Sequence, residues 1–140
     1  MATDLDLARA IFASAPFMVE LGVVPTAIGA GTVATELRVE KRHTQHTGVV
    51  HAGVMATMAD HSMGAAAQSL APAGHWVLTA ELKTSLLRPA LGERLVCEAQ
   101  VLKPGRAITF TEAQVWAVSG QQRTLVMKAS ATMAITAPKT

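Results

Sequence analysis

The chain has 140 residues, enough for one ordinary domain that buries roughly two-thirds of its unfolded surface. It is 50% hydrophobic and 16% charged, a balance that calls for a packed core and argues against disorder. The net charge is +2, but the basic residues are scattered, Lys41-Arg42 is their only adjacent pair, aromatics make up 4% and Tyr is absent. A nucleic-acid binder needs a basic stripe and stacking rings, so that class is disfavoured.

The N-terminus has no basic region leading into an apolar run, so no secretory signal is expected. Residues Asp6 to Glu20 carry apolar positions at helical spacing, interrupted by Pro16. The uncharged stretch from Leu21 to Thr35 is broken by Gly22, Pro25, Gly29 and Gly31, too interrupted to span a bilayer. These features predict a soluble cytoplasmic protein. From Gly31 the period becomes two: Val33, Thr35, Leu37 and Val39 alternate with Ala34, Glu36, Arg38 and Glu40, which predicts a half-buried strand.

A loop from Lys41 to His51 precedes a run of helix formers from Ala52 to Leu70 that is almost free of charge. A helix apolar on all sides is a buried one, so other elements are expected to wrap around it. After Pro72-Ala73-Gly74 come four runs of strand character: Trp76 to Arg88, Glu93 to Leu102, Ala107 to Val118 and Thr124 to Thr136. Lys103-Pro104-Gly105-Arg106 suits a type II turn, and short turns predict an antiparallel meander. The order points to an α+β domain over residues 1–140, with a helical segment at about 1–15. A long central helix is enclosed by a curved antiparallel sheet. One sheet leaves a side of so apolar a helix uncovered, so a dimer at least is expected.

The chemistry concentrates between His43 and Asp60. Asp60 is a lone carboxylate in mid-helix, among Ala56, Met63, Gly64 and Ala67 on its own face. Burying it without a partner is costly, so it either pairs with a distant Arg or His or serves as base or nucleophile in a dry cleft. At the helix start, Gly48 and Gly53 permit close backbone approach, and the N–H groups near Ala52 and Gly53 suit a carbonyl oxygen gaining negative charge. His43, His46 and His51, with His61 beside Asp60, lack the acidic cluster or Cys pair that would complete a metal site, so no metal is expected, and His51 is expected to orient the loop. Cys97 reads as a core thiol. Thr79, Glu81 and Lys83 fall on one face of their strand, with Thr79 able to turn its hydroxyl toward the helix.

His43, Gln45, Gly48, His51, Ala52, Gly53, Thr57, Met58 and Asp60 match the pattern H-x-[NQ]-x-x-G-x-x-H-[GA]-G-x-x-x-[TS]-[LM]-x-D. With the strand from Thr79, Leu87-Arg88-Pro89-Ala90 and the Lys103–Arg106 turn, the chain resembles the hotdog-fold acyl-CoA thioesterases of the PaaI-like, phenylacetate-degradation type. The resemblance implies hydrolysis of an acyl-CoA, with no cofactor beyond the CoA of the substrate. Asp60 would activate water or attack the thioester, Ala52 N–H would polarise its carbonyl, and Gln45 and Thr79 would orient carbonyl and water. His51, Gly53 and Glu81 would line the substrate, while Arg88, Pro89, Lys103 and Arg106 would touch the CoA. It also implies a site between two subunits, in a homodimer or a homotetramer. Gln45 stands where many relatives carry Asn, and Ala52 replaces the first Gly of the usual His-Gly-Gly, which marks a variant subtype. Two other readings compete: a hydratase or dehydratase on acyl thioesters, which lacks its characteristic loop here, and a non-catalytic acyl-CoA binding module.

Overall fold

In the computed structural model, which describes residues 4–138, Pro16 divides the N-terminal helical pattern instead of bending it. The outermost residues of the predicted 1–140 domain and of its 1–15 segment lie outside the described range. Helix α1 runs Asp4–Ser14 and α2 runs Pro16–Leu21, with Pro16 in the first turn, where its missing N–H costs no helical hydrogen bond. Gly22, at φ 95°, ends α2 and donates its N–H to Met18 O.

A strand not anticipated from the sequence follows. β1 (Val23–Gly29) pairs antiparallel with β2 (Thr32–Arg38). Pro25 and Gly29 spoil its alternation, and the register shifts between Pro25 and Ala27. Both are tolerated because β1 lies at the sheet edge, where a missing N–H breaks no central ladder.

The predicted central helix is α3, Ala52–Gln68, and it packs against every strand of the sheet. Met58, Ala59, Met63 and Ala66 have no exposed surface. The helix is nevertheless not enclosed on all sides. Ala56, Thr57, Asp60, His61 and Gly64 form a half-buried stripe at three- and four-residue spacing, the side that one sheet cannot reach. Ser62 ties the buried side to β2: its hydroxyl pairs with that of Thr35 at 2.9 Å and donates to Met58 O at 2.6 Å. Cys97 lies beside this pair, fully buried, and burial pushes its thiol up to about 11 although Ser62 and Thr35 pull the other way. It is a core thiol, as expected.

β3 (Trp76–Leu86), β4 (Arg94–Lys103), β5 (Ile108–Ser119) and β6 (Gln122–Thr136) complete a sheet of order β1-β2-β4-β5-β6-β3. The meander holds for β4, β5 and β6 only. β3 does not adjoin β4; it pairs antiparallel with β6 at the far edge, while β4 pairs with β2. Residues 87–93 form a connection long enough to carry the chain to the middle of the sheet, unlike a tight turn. The type II turn at Pro104-Gly105 is also absent, because Gly105 has no positive φ. Gly105 is needed there for space: a Cβ would stand 2.0 Å from Ile108 O. No helix among the described residues is long and apolar enough to cross a membrane.

Candidate active site

A β-bulge aims the first component. The β3–β6 register pairs Thr79 with Met133, then shifts so that Glu81 meets Thr132 and Leu82 meets Ala131. Met133, Ala131 and Ala129 are buried on the helix side, so Thr79, Leu82 and Thr84 share that side, while Glu81 and Lys83 face outward. The predicted common face of Thr79, Glu81 and Lys83 is therefore wrong. Ala80 is the extra residue that reverses it. Thr79 Oγ1 donates to Asp60 Oδ1 at 2.7 Å, and Asp60 Oδ2 has no partner among the described residues. The carboxylate is not dry in the single chain; it is half-buried, on the open stripe of α3.

Asp60 and Thr79 open onto a cavity of about 230 Å³ between α3 and the start of β3. Its wall includes His61, a residue that sequence reasoning considered only as a metal ligand. The His61 ring packs edge-on against Phe12 of α1 at 4.4 Å, and its Nε2 is buried without a hydrogen-bond partner. Burial holds this imidazole below the usual histidine range, although the charge of Asp60 pulls it up. Folded His61 stays neutral where the unfolded side chain, with its ordinary value of 6.5, already takes up a proton. Stability is complete above that value and is lost as pH falls toward the lowered folded value. Wild type should lose more Tm between about pH 7.5 and about pH 5.5 than His61→Phe. Equal losses in the two proteins would contradict this placement.

The loop ahead of α3 builds the second component. His43 is buried and uses both nitrogens inside the chain: Nδ1 accepts from Glu40 N–H at 2.9 Å and Nε2 donates to Leu21 O at 2.8 Å. This locks the tautomer and makes His43 a loop anchor. Gly48, at φ 88°, donates to Gln45 O, and Gln45 N–H donates to Val49 O, which closes a tight turn. Gln45 itself is exposed, with no side-chain hydrogen bond among the described residues. His51 caps the helix, its Nδ1 accepting from Gly53 N–H at 2.8 Å. Gly53 is thus removed as a free donor, contrary to expectation, and Val54 N–H is taken by His51 O. Ala52 N–H remains, accepted by no group of the described chain. Gln45, His51, Ala52, Arg88 and Pro89 line a second cavity of about 360 Å³. Arg88 is anchored there by donation to Leu125 O at 2.8 Å.

The predicted residues therefore fall into two groups that one chain keeps apart. Ala52 and Asp60 are eight residues apart on α3, ~12 Å along the axis, too far to meet on one carbonyl group. Lys103 and Arg106 lie at neither cavity. Val101 N–H donates to Gly31 O, and Gly31 N–H to Ser69 Oγ, so the β4–β5 loop stands at the C-terminal end of α3, opposite Arg88. Glu81 faces away from Asp60 altogether. A third concavity, about 440 Å³, is a dish over the β2, β4 and β5 strands that is remote from this chemistry; its Glu98 is paired with Arg123 and its Glu112 with Gln100.

Residues 47–124, which hold α3 and the strands β3, β4 and β5, match the model of the thioesterase superfamily. The chain belongs to the thioesterase superfamily. A thioesterase family protein from Silicibacter pomeroyi is 34% identical, with a TM-score of 0.90 over 92% of this chain and 95% of that one. A conserved protein from Pseudomonas aeruginosa is 27% identical, with a TM-score of 0.79 over 86% and 94% of the two chains. These likenesses establish the hotdog fold for this superfamily member. Human acyl-coenzyme A thioesterase 13 is 33% identical over 86 residues, which span 61% of each chain.

Proposed function

We propose that this superfamily member hydrolyses acyl-CoA thioesters in the cytoplasm, in a site assembled from two copies of the chain. One observation carries the reading: a half-buried carboxylate with one oxygen held by Thr79 and the other free stands on the same helix as an unclaimed N–H at Ala52. The names of the human and Silicibacter relatives support the class of reaction.

The chemistry follows from these groups. Asp60 Oδ2 takes a proton from water, and the resulting hydroxide attacks the thioester carbon. Negative charge moves to the carbonyl oxygen, which accepts from Ala52 N–H and Gln45 of the other copy. Collapse breaks the carbon–sulfur bond, and the leaving thiolate recovers the proton from Asp60, giving free acid and CoA thiol. Direct attack by Asp60 uses the same groups and adds an anhydride that water then opens.

The second copy is required by the ~12 Å gap and has a place to dock. β3 is an edge strand with Trp76, Leu78, Leu82 and Leu86 exposed, a template for strand addition. Pairing β3 with its copy across a two-fold axis runs the two α3 helices antiparallel. The second Ala52 then approaches the first Asp60. The same operation brings Arg88 of one copy to the end where the other carries Lys103 and Arg106, which accounts for their separation in one chain.

The test is release of free thiol from a panel of aliphatic and aryl acyl-CoAs, with light scattering on the same sample. Turnover in a particle of at least twice 14.6 kDa is expected. Saturable binding without thiol release supports a binding module instead, and a change in enoyl absorbance without thiol release supports a hydratase. An active monomer overturns the shared site.

A further inference from the structure

The Thr79 hydroxyl meets a carboxylate on one side and a sulfur atom on the other. On β6, Met133 stands directly opposite Thr79, and its side chain is wholly buried. Its Sδ lies 3.4 Å from Thr79 Oγ1, which is itself 2.7 Å from Asp60 Oδ1. No other methionine among the described residues has its sulfur at hydrogen-bond distance from a hydroxyl. Met133 has a second threonine opposite it, Thr109 on β5, but that hydroxyl is engaged elsewhere, accepting from Gly105 N–H at 3.2 Å.

A hydroxyl has one proton to give. Ionised Asp60 is much the stronger acceptor, so the proton goes to Oδ1 and the sulfur meets the oxygen away from that bond. The sulfur then bears on rotation about χ1. Threonine is branched at Cβ, so turning it exchanges hydroxyl for methyl. A wall of hydrocarbon favours the methyl, whereas a polarisable thioether accommodates the oxygen. The same strand supplies a comparison. Met127 is equally buried on the same side of β6, but it stands opposite Leu86, with no hydroxyl to aim.

We propose that Met133 is a positioning residue for the hydrolysis: its sulfur seats the Thr79 hydroxyl so that it holds Asp60 Oδ1 and leaves Oδ2 free for water. This rests on the thioesterase reading above. Met133 lies in the core behind Thr79 and acts on the carboxylate only through it.

The experiment follows thiol release from the best acyl-CoA of the panel by wild type, Met133→Leu, Met127→Leu, Thr79→Ala and the double variant Thr79→Ala/Met133→Leu. Each protein is first shown to be folded by circular dichroism; methionine to leucine conserves volume, and Met133→Ile serves if leucine prevents folding. In Met133→Leu kcat should fall about threefold to tenfold, the scale of one weakened hydrogen bond, with little change in KM. Met127→Leu should match wild type. In the Thr79→Ala background the Met133 substitution should cost nothing more, because the two residues act as one unit. A full further loss in the double variant, an equal loss in Met127→Leu, or wild-type kcat in Met133→Leu would overturn the positioning role and leave the thioesterase reading standing. Wild type that releases no thiol from any acyl-CoA of the panel overturns both.

Discussion

Asp60→Asn should remain folded and lose at least ~10³-fold in turnover, within the range for removal of an essential proton-transfer group. The substitution is nearly isosteric, and the amide oxygen can still accept from Thr79 Oγ1, which now holds Oδ1 at 2.7 Å. What disappears is the basic oxygen on the open side. Because Asp60 is half-buried and has no ion-pair partner among the described residues, its charge is not a structural necessity, and Tm should change little. Thr79→Ala should cost less, since water can occupy the place of the hydroxyl. Folded Asp60→Asn with wild-type thiol release would remove the carboxylate from the mechanism.

The second large effect is at Ala52. Ala52→Pro deletes the one N–H at the helix start that no group of the described chain accepts, and loss of an oxyanion donor typically costs ~10²–10³ in rate. The backbone is prepared for it: position 52 is the first residue of α3, where proline is tolerated, and His51 at φ −63°, ψ 136° already has the extended conformation required before proline. Ala52→Gly keeps the N–H and should retain most activity. Equal turnover in the two folded variants would mean that the carbonyl is held elsewhere.

How much of this was legible in the sequence differs by element. The central helix, the β4–β6 meander and the singular position of Asp60 were readable, because each rests on local periodicity or on one residue out of keeping with its neighbours. β1 was not, since Pro25 and Gly29 erase the alternation that an edge strand can afford to lose. The place of β3 at the far edge was hidden because a connection of several residues does not say which strand the chain rejoins. The bulge at Ala80 leaves no mark in a period-two pattern, yet it turns Thr79 toward Asp60 and Glu81 away. Likewise, nothing local announces that His51 would claim Gly53 N–H and narrow the helix-start donors to Ala52. The link of Phe12 to His61 joins distant segments and is visible only in the fold.

The central claim is that Asp60 of one copy works with Ala52 of another, and mixing two inactive variants tests it directly. Asp60→Asn and Ala52→Pro protomers, denatured together and refolded as an equal mixture, form heterodimers in which one of the two sites has both an intact Asp60 and an intact Ala52. With random pairing the mixture should recover about a quarter of wild-type thiol release, while each variant refolded alone stays inactive. Heterodimers verified by a tag on one variant, with activity no higher than either parent, would contradict the shared site.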